Sequence, residues 1–288
     1  MTIETFELLR PTSLVEASKL LLKYGEDARP IAGGTTLVIL MKQRAVHFPY
    51  LVDLQEIPDL DQISVEGGWV RIGAMVTHRR VECSPDIQRS LPVLAEACGK
   101  VGNIRVRETA SVGGNLAHAD YRLDPPPALL ILGADLVLFG PNGFRTVAIK
   151  NFYRGMYETA LEPAEILVEV KIPPMPEGSQ AAYLKYSSLS ANDWPCLGVA
   201  ALLSLKNGLC HELRLGLSGL AGTPLLIRGL DFVRGQLLTD RLIEDVSKVV
   251  NEQISPMSDL RGSEWYKRQM AGVFVQRAIR EAEQRLST

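Results

Sequence analysis

Residues 108–124, ETASVGGNLAHADYRLD, bring a hydroxyl residue, two consecutive glycines, an amide and a carboxylate into one short stretch of chain. Gly113 and Gly114 permit positive φ and let the backbone approach a bulky anion closely, so that N–H groups rather than side chains grip it. Ser111 and Asn115 add hydrogen-bonding groups, and Asp124 is available to accept from a ribose hydroxyl. An isolated Gly-Gly pair is more often a plain turn. What changes the balance is a second copy of the chemistry upstream: residues 29–37, RPIAGGTTL, run from an apolar segment into Gly33-Gly34 and two threonines. Two strand-to-glycine loops predict two clamps on one long, phosphate-bearing ligand.

Working outward, Ser13 caps a helix with Leu14, Ala17, Leu20 and Leu21 at helical spacing and Gly25 at its end. Residues 28–32 read as a strand and 36–42 as a helical turn, whose N-terminus favours phosphate. A strand at 50–54 closes a first lobe, residues 1–57. In a second lobe, residues 58–175, Ile63 and Val65 alternate into Gly67-Gly68 and out through Val70 and Ile72, a hairpin signature. Thr77 caps a helix, 91–100 form another, and Arg105 and Arg107 either meet phosphates or lie on a solvated edge. Pro125, Pro126 and Pro127 suit the first turn of a helix. Strands are expected at 135–139, 144–149 and 166–172, before a linker at 173–178. Residues 176–288 form a third unit: an antiparallel sheet turning at Asn207-Gly208, then helices over 237–251 and 265–285.

A chain of 288 residues, 46% hydrophobic and 22% charged, is long enough for a sizeable core and has globular composition. A net charge of −2 without a basic run excludes general attraction to nucleic acid, and no apolar run suggests a membrane span. The N-terminus lacks a signal-peptide pattern, which predicts a cytoplasmic protein. Cys83, Cys98, Cys196 and Cys210 form no C-x-x-C pair, and His47, His78, His118 and His211 show no ligand spacing, so no metal site is expected. No nucleophile elbow is present, and no catalytic side chain is assigned.

Ala32-Gly33-Gly34-Thr35-Thr36-Leu37, Arg71-Ile72-Gly73-Ala74-Met75, the run from Val101 to Arg107, and Ser111-Val112-Gly113-Gly114-Asn115-Leu116 occur in an order that resembles the FAD-binding medium subunit of the molybdenum hydroxylases. That family includes the flavin subunits of carbon monoxide dehydrogenase, bacterial xanthine dehydrogenase and 4-hydroxybenzoyl-CoA reductase. The resemblance covers nearly the whole chain and implies an α+β protein: a two-lobed FAD-binding domain of the vanillyl-alcohol-oxidase (PCMH) type, then a C-terminal α+β domain. It implies non-covalent FAD held by Ala32, Gly33, Gly34, Thr35, Thr36, Ser111, Val112, Gly113, Gly114, Asn115 and Asp124. Leu167 and Lys185 match positions near the flavin ring, where a lysine would stabilise a reduced, anionic flavin. His118 stands where relatives carry threonine. The implied activity is oxidoreductase electron transfer. A large subunit carries the molybdenum cofactor, a small subunit carries [2Fe-2S] clusters, and FAD on this chain passes electrons outward, in a dimer of heterotrimers. Two alternatives stay open: a self-contained FAD-dependent oxidase and a non-catalytic nucleotide-binding subunit.

Overall fold

The computed structural model describes residues 3–287. Its first sheet is parallel, in the order β1-β3-β2, and is built from β1 (Glu7–Leu9), α1 (Leu14–Tyr24), β2 (Ala28–Ile31), α2 (Leu37–Lys42) and β3 (Tyr50–Asp53). Parallel neighbours need crossover connections, and α1 and α2 supply them. Ser13 caps α1 by accepting from the Glu16 N–H, and Gly25 ends it at φ 55°.

Next come β4 (Ile63–Glu66), β5 (Trp69–Gly73), α3 (His78–Cys83), α4 (Pro85–Ser90), α5 (Pro92–Gly99), α6 (Ile104–Thr109), α7 (Val112–His118) and α8 (Pro125–Leu132). They are followed by β6 (Asp135–Gly140), β7 (Gly143–Ala148), the small hairpin β8 (Tyr153–Gly155) and β9 (Glu158–Thr159), and β10 (Ile166–Ile172). Five of these strands form an antiparallel sheet in the order β4-β5-β10-β6-β7. Central β10 is buried on both faces: Val170 and Ile172 enter one core with α5 and α8, while Ile166 and Val168 pack with Ala17, Leu21 and Val52 of the first unit. That shared second core seats the two lobes against each other, with each fully buried aliphatic side chain contributing about 1.5–3 kcal/mol.

The C-terminal part has β11 (Ser179–Tyr186), β12 (Leu197–Lys206), β13 (Leu209–Ser218), β14 (Leu225–Leu226), α9 (Asp240–Gln253) and α10 (Glu264–Leu286), with an antiparallel sheet in the order β11-β12-β13-β14. Asn207 and Gly208 turn the β12–β13 hairpin at φ 54° and 76°, the left-handed pair that a two-residue turn of this hand requires. One face of this sheet packs on α9 and α10. The other face sends Ala200, Leu202 and Tyr183 into the core of the middle unit, around α8. Every residue of α8 is buried. A Cβ at Gly216 would lie 2.3 Å from the Pro127 carbonyl oxygen, so only glycine lets β13 and α8 approach this closely. Among the described residues no helix is long and apolar enough to cross a membrane, and no group of ligating side chains could hold a metal ion.

Candidate functional site

Both glycine motifs open onto one cleft of about 1180 Å³. The chain leaves β2 at Ala32, turns at Gly34 (φ 67°) and enters α2, leaving the N–H groups of Gly33, Gly34, Thr35 and Thr36 without an acceptor among the described residues. Such a run of adjacent N–H groups is a concave anion site.

The second motif is built differently from its sequence expectation. Ser111 is the N-cap of α7, its Oγ accepting from the Gly114 N–H at 3.1 Å. The Val112 and Gly113 N–H groups donate to the Val76 and Ala74 carbonyls at 2.9 and 2.8 Å, and Asn115 N–H donates to the Ser111 carbonyl. The expected free donors of residues 112–115 are therefore already bound inside the protein, because the stretch starts a helix pinned to the end of β5. Nor do Gly113 and Gly114 have positive φ. They are needed for close approach: a Cβ on Gly113 would sit 2.4 Å from the Ala74 Cβ, and one on Gly114 3.0 Å from the Ser111 Oγ and 3.5 Å from the Ala32 Cβ. A Cβ on Gly33 would lie 1.9 Å from the Thr109 carbonyl oxygen. The glycines thus let the two motifs touch. What the second one offers the cleft is a bare helical turn and the Asn115 amide, whose Oδ1 is buried without a partner.

Ala32, Gly33, Gly34, Thr35, Thr36, Ser111, Gly113, Gly114, Asn115, His118, Asp124 and Leu167 all line the cleft. Val112 and Lys185 do not. Val112 turns into the core of the middle unit, as the apolar member of the helix turn must. The Lys185 side chain, only 5% exposed, lies one layer back and reaches the wall through Asp124, to which its Nζ donates at 3.1 Å. Arg107 is also diverted from any phosphate: it pairs with Glu82 at 3.0 Å and donates to the Val101 and Gly102 carbonyls. Of the two expectations for Arg107, a phosphate contact and a solvated edge, neither describes it: its side chain is largely covered and held by Glu82.

Asp124 occupies the N-cap position of α8 without capping it. A cap accepts from the N–H two or three residues on, and Pro126 and Pro127 have none. Its carboxylate instead accepts from the Tyr183 hydroxyl at 2.7 Å and from Lys185. Burial pushes the Asp124 carboxyl up to about 6, with the Lys185 charge opposing the shift. The Tyr183 phenol is driven well above its ordinary value by burial and by the Asp124 charge. His118 is lowered by burial, which outweighs the attraction of Asp120, and it faces the cleft with its ring 5.4 Å from that of Tyr157.

The cleft is also lined by groups that lie outside the glycine motifs. Asn192, Asp193 and Trp194, from the loop between β11 and β12, line it. The Trp194 ring centroid is 5.5 Å from the Arg122 guanidinium and 6.0 Å from that of Arg261, and Arg261 pairs with Asp193 at 2.8 Å. Arg122 is itself fixed by two hydrogen bonds to Asp120, at 2.9 and 2.7 Å. These residues lie far apart in the chain and share no spacing. Tyr183 was equally hidden, although Asp-Pro-Pro-Pro is a usable signal: an acid that cannot cap must find another partner.

Comparison with known proteins decides the family. Residues 4–175 match the FAD binding domain in molybdopterin dehydrogenase, and residues 182–282 match the CO dehydrogenase flavoprotein C-terminal domain. The chain belongs to the molybdopterin dehydrogenase flavoproteins. Within that family it is 37% identical to the carbon monoxide dehydrogenase medium chain of Afipia carboxidovorans, over 98% of each chain. It is 30% identical to the putative xanthine dehydrogenase FAD-binding subunit of Escherichia coli, over 95% of this chain and 94% of the relative. In three dimensions it matches carbon monoxide dehydrogenase of Hydrogenophaga pseudoflava with a TM-score of 0.96 and 35% identity, covering 99% of both chains. The groups lining the cleft of this flavoprotein suit FAD: unpaired N–H donors for a pyrophosphate, an unpartnered buried Asn115 Oδ1 acceptor, and a floor cleared of side chains by glycine.

Proposed function

We propose that this flavoprotein binds one FAD in the cleft and serves as the electron-transfer subunit of a heteromeric molybdenum hydroxylase. The unpaired N–H groups of residues 33–36, in the same cleft as the unpartnered Asn115 Oδ1, carry this reading. The bound flavin supplies the redox chemistry; the chain positions it and tunes its surroundings. Gly33, Gly34, Thr35 and Thr36 grip the pyrophosphate, Gly113 and Gly114 give it room, and Asn115 and Asp124 supply polar contacts. Leu167 provides an apolar wall. Lys185 acts at one remove, by holding Asp124. His118 contributes a ring face beside Tyr157.

The relatives are medium chains and FAD-binding subunits, which implies a larger partner and a smaller one. The large partner carries the molybdenum cofactor and oxidises the substrate; the small one carries [2Fe-2S] clusters and feeds this chain. We assign the assembly as a dimer of heterotrimers in the cytoplasm, and the chain's units as residues 1–57, 58–175 and 176–288. The test is co-purification with the partners, a visible spectrum, and a screen of NAD, oxygen and quinone as acceptors. No flavin absorbance after FAD is added would overturn the reading, and a lone chain oxidising an organic substrate in air would replace it with a self-contained oxidase.

A further inference from the structure

Asp124 in the cleft wall is the centre of a polar cluster that extends behind it. Asp124, only 4% exposed, receives the Tyr183 hydroxyl at 2.7 Å and the Lys185 ammonium at 3.1 Å; that ammonium also donates to the Lys100 carbonyl at 2.8 Å. The space is built for it: a Cβ at Gly198 would fall 2.5 Å from the Tyr183 hydroxyl oxygen and 2.7 Å from the Ser218 Oγ. An aspartate needed merely to cap α8 would have donors in its own first turn, and the three prolines remove them.

We propose that Asp124 is a redox-linked proton acceptor of the cleft, and that Tyr183 is the positioning residue that holds its carboxyl group in place. This rests on the flavin reading above. With Asp124 ionised, its charge cancels that of Lys185, and the wall is neutral toward the cleft. Electrons arriving from an iron–sulfur partner add negative charge to the cleft. A buried, low-dielectric site answers such a charge strongly. One proton then enters from solvent and forms an O–H bond on Asp124, and the charge of the wall rises by one. When the electrons leave, the O–H bond breaks and that proton returns to solvent, so charge and atoms balance over the cycle. The titratable groups facing Asp124 are Tyr183 and Lys185 from β11 and Cys98 and Lys100 from the end of α5. Burial pushes the Cys98 thiol and the Tyr183 phenol up, away from neutral pH, and the Asp124 carboxyl up toward it.

The experiment is reduced-minus-oxidised infrared difference spectroscopy on the FAD-loaded complex, with dithionite as reductant, near pH 7. The expected result is a protonated-carboxyl C=O band that appears on reduction and shifts in deuterium oxide. It should vanish in Asp124→Asn. In Tyr183→Phe, which removes one hydrogen bond to the carboxyl, it should move in frequency while flavin content stays unchanged. If Asp124→Asn does not retain FAD, the Tyr183→Phe shift decides. Absence of the carboxyl band, its persistence in Asp124→Asn, or an unshifted band in Tyr183→Phe would overturn the proposal. Failure of the flavin reading itself would show earlier and separately, as a complex without flavin absorbance.

Discussion

Replacing Gly33 by alanine tests how the two motifs form one site. The added Cβ would lie 1.9 Å from the Thr109 carbonyl oxygen and 2.7 Å from its carbon, backbone atoms at the end of α6 that cannot rotate aside. Ordinary contact begins at 3.4 Å, so the first motif must part from the second by about 1.5 Å. Gly33 does not have positive φ, so alanine adds no backbone strain and the effect is purely one of distance. A displacement of about 1 Å in a positioned site costs on the order of 100-fold, and 100-fold in Kd corresponds to about 2.7 kcal/mol. FAD titration into flavin-depleted chain, followed by flavin fluorescence, should show Kd for Gly33→Ala weakened by about that factor. Circular dichroism would report on the fold alongside. Gly222→Ala is the control, because its Cβ meets nothing within 4 Å; its Kd should match wild type. A Gly33→Ala chain with wild-type secondary structure and a Kd within about threefold of wild type, less than about 0.7 kcal/mol, would refute the view that contact between the motifs sets the site.

Buried His78 gives a second prediction. Both ring nitrogens lack partners, and burial lowers it to about 4, with the Arg107 charge adding to the shift. Its folded value lies below the unfolded one, so its contribution is present above about 6.5 and lost as pH falls toward 4, a loss of about 3 kcal/mol in all. His78→Leu should remove that loss, seen as a smaller drop in urea-unfolding stability from pH 7.5 to 4.5. Asp124 acts in the opposite sense: its raised value stabilises the folded chain as pH falls from about 6 toward 4, so Asp124→Asn should steepen the loss on acidification over that range. Lys267, fully buried, pairs with Asp259 at 2.9 Å and donates to the Met257 carbonyl at 2.8 Å. Lys267→Ala should cost about 3–5 kcal/mol in the same unfolding assay. Gly208→Ala, at φ 76° in the β12–β13 turn, should cost about 1 kcal/mol with FAD affinity unchanged.

Local rules determined much of this protein from sequence alone. The caps at Ser13 and Thr77, the Asn207-Gly208 turn and the alternation around Gly67-Gly68 each depend on residues adjacent in the chain, so their elements stand where the sequence puts them. The ordered glycine motifs likewise named the flavoprotein family. Only the tertiary structure decided how those motifs are used. A sequence shows that Gly113 and Gly114 have no side chains. It does not show that Ser111, Ala74 and Val76 have already taken the N–H groups around them, which leaves the free donors at residues 33–36. Nor does it show that Val112 turns inward, that Lys185 stands behind Asp124, or that Tyr183, 59 residues away, holds the same carboxylate. Hydrogen-bond partners and close backbone contacts are set by where distant segments meet, and that meeting is fixed by the packing of the cores around β10 and α8.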